Sequence, residues 1–317
     1  MLVLRLIAGR VLVSLVTLWM VSVLVFGVLE ILPGDVASRI LGREATPERL
    51  AALRAELHLD DPAIERYGRW LGGILRGDLG TALTSQRPIN DILAPRIANT
   101  LILSAAAFAL YIPLSLLPAA IQALRRDRPV DHALSAVTLV FVSMPEFLLA
   151  TLLLVVFVAY VPLFPAVSIV DAGTPFWEYA RAIVLPAVTL AIVMAVYAVR
   201  MLRDNLIEVL DSDFVRMAEL KGLSRARVLW RHALPNALVP TLNVTALNIA
   251  YLVGGVVVVE KVFSFPGFGS LLIDALQLRD LPLIEATVLI SALVYIGANL
   301  LADVGAILLN PRLRGTA

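Results

Sequence analysis

The sequence predicts an all-α integral membrane protein with six transmembrane helices, an extracytoplasmic helical insertion after the first, and a cytoplasmic helix-turn-helix between the fourth and fifth. Three observations predict it. Hydrophobic residues make up 60% of the 317, mean hydropathy is +0.88 and only 16% are charged, against about 25% in an average soluble domain. Six apolar runs are long enough to cross a bilayer. Arginines and lysines crowd into alternate connections.

The first run, Val11 to Leu32, would make about 33 Å of helix at about 1.5 Å per residue, enough for a hydrocarbon core of about 30 Å. It is longer than the apolar core of a signal peptide. Leu-Glu-Ile-Leu-Pro-Gly-Asp follows in place of small residues, so the run is expected to stay as a span. The insertion, 33–96, holds nine arginines and nine acids and forms no field of one sign. Thr46-Pro47-Glu48 reads as a helix start, with Leu50, Leu53 and Leu57 on one side. Asp61-Pro62 opens a second helix with Ile64, Tyr67, Leu71, Ile74 and Leu75. Both helices are expected to pack against the spans.

The other runs are Thr100 to Leu124, Leu134 to Tyr160, Leu185 to Leu202, Ala237 to Val259 and Leu283 to Leu309. The chain therefore divides into 1–32, 33–96 and a five-helix core over 97–317 that includes a cytoplasmic loop at 204–235. Arg5 and Arg10 precede the first span, Arg125, Arg126 and Arg128 join spans two and three, and seven basic residues lie between Arg200 and Arg231. Arg312 and Arg314 close the chain, whereas the opposite short loops offer only Arg181, Lys261 and Arg279. Basic residues favour the cytoplasmic side, so both termini and the helix-turn-helix are expected there.

The helix-turn-helix, Val215 to Pro240, is polar in an apolar chain. Asp213 is placed to cap its first helix and Gly222 to end it in a left-handed turn. Ser224 is placed to cap a second helix, Arg225 to Leu234, before Pro235 resets the backbone. Two rigid helices standing clear of the lipid give a soluble partner something to push.

Several chemistries are excluded. With no cysteine there is no disulfide and no thiolate metal site. His58, His132 and His232 lack the spacing of a helical metal site. No Gly-x-Ser-x-Gly elbow suggests a hydrolase. Lys221 and Lys261 are the only lysines, and neither sits in a phosphate-binding Gly-rich loop, so this chain cannot be a P-loop ATPase by itself.

Polar groups at membrane depth need protein or water as partners. Glu146 follows Pro145 in span three, Asn243 and Asn248 lie in span five, and Asn299 and Asp303 lie in span six; Glu30 is near the outer exit of span one. These are candidates for the solute pathway or for interhelical hydrogen bonds. Pro113, Pro118 and Pro145 can bend spans two and three, and Gly254-Gly255 permits close helix contact. Phe263, Phe265 and Phe268 are read as anchors at the headgroup level, before a short interfacial helix from Ser270 to Leu276.

The helix-turn-helix resembles the loop by which ABC importer permeases grip their ATPases: Glu-Ala-Ala, three residues, Gly, nine residues, an apolar residue, one residue, Leu-Pro. The first three positions fall on Arg216, Met217 and Ala218, the Gly on Gly222 and the Leu-Pro on Leu234-Pro235. Leu24 to Asp35, Trp70 to Leu83 with its Gly-Asp-Leu-Gly, Val256 to Ala286, and Leu309-Asn310-Pro311-Arg312 resemble, in order, segments of the dipeptide, oligopeptide and nickel branch.

That resemblance implies a bacterial inner-membrane permease, embedded in the lipid bilayer, that imports peptides or a related small solute. It implies a second homologous permease, two ABC ATPase subunits that carry the ATP and Mg, and an extracytoplasmic substrate-binding protein. It implies no cofactor on this chain, no catalytic residue and no nucleic-acid partner. By position, Ala218 and Gly222 would pack closely against the ATPase, and Leu223, Val228 and Leu229 would offer apolar contact. Arg216 replaces the pattern's glutamate, which removes a salt bridge from that position unless Glu219 substitutes. The alternative class is an ion-gradient-driven secondary transporter, which needs paired intramembrane ionisable groups and commonly an internal repeat; neither is evident.

Overall fold

The computed structural model describes residues 2–31, 41, 45–56, 60–169, 173–254 and 256–309, and among them the chain is helical, with one isolated antiparallel bridge between Thr81 and Pro88. The helices are α1 Leu2–Ile31, α2 Pro47–Glu56, α3 Ala63–Leu75, α4 Ile89–Leu124, α5 Pro129–Ser143, α6 Glu146–Leu154, α7 Phe176–Leu210, α8 Asp213–Leu220, α9 Arg225–Val228, α10 Leu234–Gly254, α11 Val256–Val262, α12 Phe268–Leu278 and α13 Leu281–Leu309. A π-helical turn at Val155–Tyr160 extends α6, and another at Leu229–Ala233 joins α9 to α10.

By length and composition four described helices can cross a membrane: α1, α4, α7 and α13. The predicted third span is a bent pair, Pro129–Ser143 and Glu146–Tyr160, turned by 107° at Met144-Pro145. Proline has no N–H to donate and restricts the residue before it, and Met144 is extended (ψ 127°), so the helix restarts at Glu146. Pro113 and Pro118 do not interrupt α4, which begins at Ile89, well before the expected Thr100. The predicted fifth span falls on α10 and α11, and Gly255 between them lies outside the described residues, as does Pro311-Arg312 of the C-terminal motif.

The chain forms two compact units. One comprises Met1–Ile97 with Ser270–Ala317. In it α1 packs along α13, and α3 lies on the C-terminal turns of α1. The rings of Phe26, Tyr67 and Trp70 meet at centroid distances of 5.4 to 5.9 Å. The hydroxyls of Ser22 and Tyr67 are 2.8 Å apart, and Arg66 donates to Glu30. Ile64 and Leu75, expected to face the spans, are exposed; Leu57 lies outside the described residues, and α2 carries Leu50 half-buried. Leu12, Leu15, Trp19 and Leu24 leave much of α1 apolar on the outside, the surface lipid requires.

The other unit, Ala98–Gly269, is built around α7. Two-thirds of the apolar stretch of α7 is buried, against 11% for α1, so α7 is a core helix and α1 a lipid-facing one. Ala182, Ala187, Ala191, Ala195 and Ala198 are all buried, and these small side chains let α5, α6, α10 and α11 approach closely. Phe263 and Phe265 do not anchor at a headgroup level: both are inside this core, at 1% and 0% exposure. The turn after α11 folds back, with Phe265 N–H on the Glu260 carbonyl (2.8 Å) and Ser168 N–H on the Phe263 carbonyl (2.9 Å). The expected helix at Ser270 to Leu276 is α12, which starts earlier, at Phe268.

Candidate coupling site

The polar elbow leaves α7 at Leu210. Ser212, not Asp213, is the residue before α8, and its hydroxyl turns back to the Val209 carbonyl instead of capping the helix. The C-terminal end of α8 closes in a left-handed turn. Gly222 has φ +78°, its N–H donates to the Glu219 carbonyl (2.9 Å), and Leu223 N–H donates to the Ala218 carbonyl (3.3 Å). This is the paired-bond ending that satisfies two of the last carbonyls of a helix, and Leu223 packs beside Ala218 as that ending favours. Ser224 precedes α9 in an extended conformation without a side-chain cap. Pro235 does not end the helical path. The π-helical turn at Leu229–Ala233 precedes it, and that widening accommodates a residue that cannot bond to the carbonyl four residues back.

The elbow has an inner and an outer face. Val215, Ala218 and Val228 are buried and pack with Val209, Leu210 and Leu223. Leu229, Ala233 and Leu234 join a second core with Ala119, Ala120, Ala123, Val199, Leu202 and Leu206, from the ends of α4 and α7. Val228 and Leu229 therefore hold the elbow to its own spans. The outer face carries Phe214, Met217 and Leu220 at intervals of three, 49%, 54% and 82% exposed, with Trp230 half-exposed nearby in sequence. Arg216, Glu219, Lys221, Arg225 and Arg227 are exposed around them, as is Pro235. No atom lies within 4 Å of where a Gly222 side chain would begin, so this turn is open toward any partner.

Behind the elbow is a charge pair that the sequence did not reveal. Arg203 of α7 grips Asp131 of α5 with one edge of its guanidinium, Nε to Oδ1 at 2.8 Å and Nη2 to Oδ2 at 2.7 Å, while Nη1 donates to Asp204 at 2.9 Å. Asp131 is 1% exposed and also accepts from the Asp127 N–H at 3.1 Å. Arg126 reaches Asp211 at the start of the elbow, 3.0 Å away. The only local hint is an acid in the first turn of α5 beside a basic connection.

The intramembrane candidates separate. Asn248 donates to the Met194 carbonyl at 3.0 Å, and Tyr251 donates to Glu146, so both tie α10 to its neighbours inside this chain. Asn299 is exposed on α13. Asn243 and Asp303 have side chains outside the described set, and their helices alone are placed. Among the described residues no group of three His, Asp or Glu could hold a metal ion.

Residues 111–315 match the family described as binding-protein-dependent transport system inner membrane component, and residues 3–104 match its N-terminal companion. The chain belongs to this family. It is thus an ABC importer permease of the peptide family and a multi-pass inner-membrane protein. It is similar to a Brucella abortus protein that carries the provisional name peptide transport system permease protein, with 36% identity over 309 residues, 98% of each chain. It is also similar to the glutathione transport system permease protein GsiC of Escherichia coli K12, with 34% identity over 305 residues, 96% of this chain and 97% of the relative.

Proposed function

We propose that this permease is a six-span subunit with both termini in the cytoplasm, and that it forms the translocation path with a second, homologous permease. Two ATPase subunits carry the ATP and Mg, a binding protein delivers solute from outside, and this chain supplies motion in place of chemistry. The solute is a peptide or a related small molecule, a reading supported by the names of the relatives.

The observation that carries the reading is the division of the elbow into two faces. Its buried side chains fix it to α4 and α7, and its exposed apolar stripe is left for something outside the chain. Displacing α8 would therefore displace α7. The Arg203–Asp131 pair would pass that displacement to α5 and the bend at Pro145, giving the two orientations of alternating access. The ATPase contacts fall on Arg216, Met217, Glu219 and Gly222, joined by Phe214 and Leu220.

The test is reconstitution of the whole complex with Met217→Asp and Leu220→Asp. Both side chains are solvent-exposed, so the permease should fold and the ATPase pair should no longer co-purify or drive uptake. Retention of coupled uptake by both variants overturns the assignment of this face.

A further inference from the structure

The unit formed by Met1–Ile97 and Ser270–Ala317 contains a cavity of about 380 Å³ that the coupling reading does not use. Phe26, Leu29 and Glu30 of α1, Arg66 and Trp70 of α3, and Glu285 of α13 line it. Arg66 donates through Nη2 to Glu30 while its buried Nε has no partner, Arg69 donates to Asp61, and Asp78 accepts the Gly80 N–H at 2.9 Å. Glu285 is left among the described residues without a hydrogen-bond or ion-pair donor, and the charges acting on it are those of Glu30 and Arg66. Phe26 and Trp70, also in the lining, stand 5.9 Å apart between ring centroids.

A carboxylate without a donor in a cavity that two aromatic side chains also line is complementary to an ammonium group. An ammonium group supplies the missing donors and charge, ring faces attract a cation, and the carbon skeleton next to the amine gains apolar walls. We propose that this cavity is a binding site for the primary ammonium of a small organic amine, with Glu285 as its counter-ion and Phe26 and Trp70 as its walls. On the orientation proposed above it faces the extracytoplasmic side. Two sources carry this chemistry there: the amino end of a solute and the ethanolamine headgroup of a lipid.

The test uses the full-length chain alone in nanodiscs of phosphatidylglycerol, so that it is independent of ATPase coupling. Binding of radiolabelled alanyl-phenylalanine is measured by equilibrium dialysis, beside its N-acetyl derivative and in parallel discs containing phosphatidylethanolamine. If the solute is the ligand, the free dipeptide binds saturably in both kinds of disc, and acetylation or Glu285→Gln weakens it about tenfold or more. Trp70→Leu weakens it less. If the headgroup is the ligand, phosphatidylethanolamine co-purifies with the wild type, excludes the dipeptide and is lost from Glu285→Gln. The acetylated probe reads the same interaction without altering the protein, which covers a variant that fails to fold. The proposal is overturned if neither amine binds the wild-type chain, or if Glu285→Gln and acetylation leave binding unchanged.

Discussion

Arg203 and Asp131, 72 positions apart in the chain, meet in a two-pronged ion pair that locks α7 to the start of α5. Asp131 is almost fully buried, and Arg203 is 23% exposed at its side chain. Removing Arg203 leaves the buried Asp131 charge unmatched, at a cost of about 3 kcal/mol, whereas removing Asp131 leaves Arg203 its second partner, Asp204, at 2.9 Å.

Asp131→Asn and Arg203→Met should therefore each lower the melting temperature of the purified permease, while Arg203→Lys, which keeps the charge but loses the fork, should lower it less. The double variant Asp131→Asn with Arg203→Met removes both charges and should recover part of the loss. If the two single effects simply add in a thermal unfolding series, the pair does not couple the helices.

Gly222 separates conformational from contact costs. A methyl group there meets no atom within 4 Å, so Gly222→Ala should cost only what φ +78° imposes on an L-residue, about 1 kcal/mol. Gly222→Asn should cost less than Gly222→Ala, because asparagine tolerates the left-handed region. Both should retain ATPase assembly, whereas Gly222→Trp should block the partner's approach and uncouple ATP hydrolysis from uptake. Loss of assembly in the alanine variant would mean that the ATPase presses directly on this Cα.

The helices and the elbow were legible because their signals are local. Apolar length marks α1, α4, α7 and α13, and the glycine after an amphipathic turn marks the end of α8. What was not legible depends on distance in sequence. Phe263 and Phe265 read as interfacial by composition, yet the fold-back from Glu260 carries them into the core. Asp131 and Arg203 each sit among other charges, and no local pattern pairs them. The exposed stripe of Phe214, Met217 and Leu220 could have been found from its spacing of three. Position in the family pattern pointed instead to Val228 and Leu229, which are turned inward.

The buried carboxylate of Glu260 fixes the turn between α11 and α12. It accepts the Thr100 hydroxyl at 2.5 Å, and Thr100 accepts the Phe268 N–H at 2.8 Å. A side chain at Gly267 would overlap that carboxylate, and one at Gly269 would stand 2.8 Å from the Val257 Cα. Gly267→Ala should therefore displace the Glu260 carboxylate and lower the yield of stable protein, and Glu260→Asp, shorter by one methylene, should restore part of it in the double variant. Equal yields of Gly267→Ala and wild type from membranes would show that the turn is not packed in this way.

At the bend in the third span, Glu146 opens α6 and accepts a hydrogen bond from the Tyr251 hydroxyl of α10. Pro145 breaks the helix there, so α5 and α6 are joined by an extended residue, and this side-chain bond ties the restart of the helix to α10. Tyr251→Phe keeps the ring and removes the donor, leaving the acid in a region where lipid cannot replace it. A lost hydrogen bond to a charged group costs about 1.5 to 3 kcal/mol, so the variant should melt at lower temperature. Pairing it with Glu146→Gln tests the bond itself. Glutamine carries no full charge to strand, so Tyr251→Phe should cost less in the Glu146→Gln background than in the wild type. An equal cost in both backgrounds would show that Tyr251 acts through its packing, and that the bend is held by Pro145 alone.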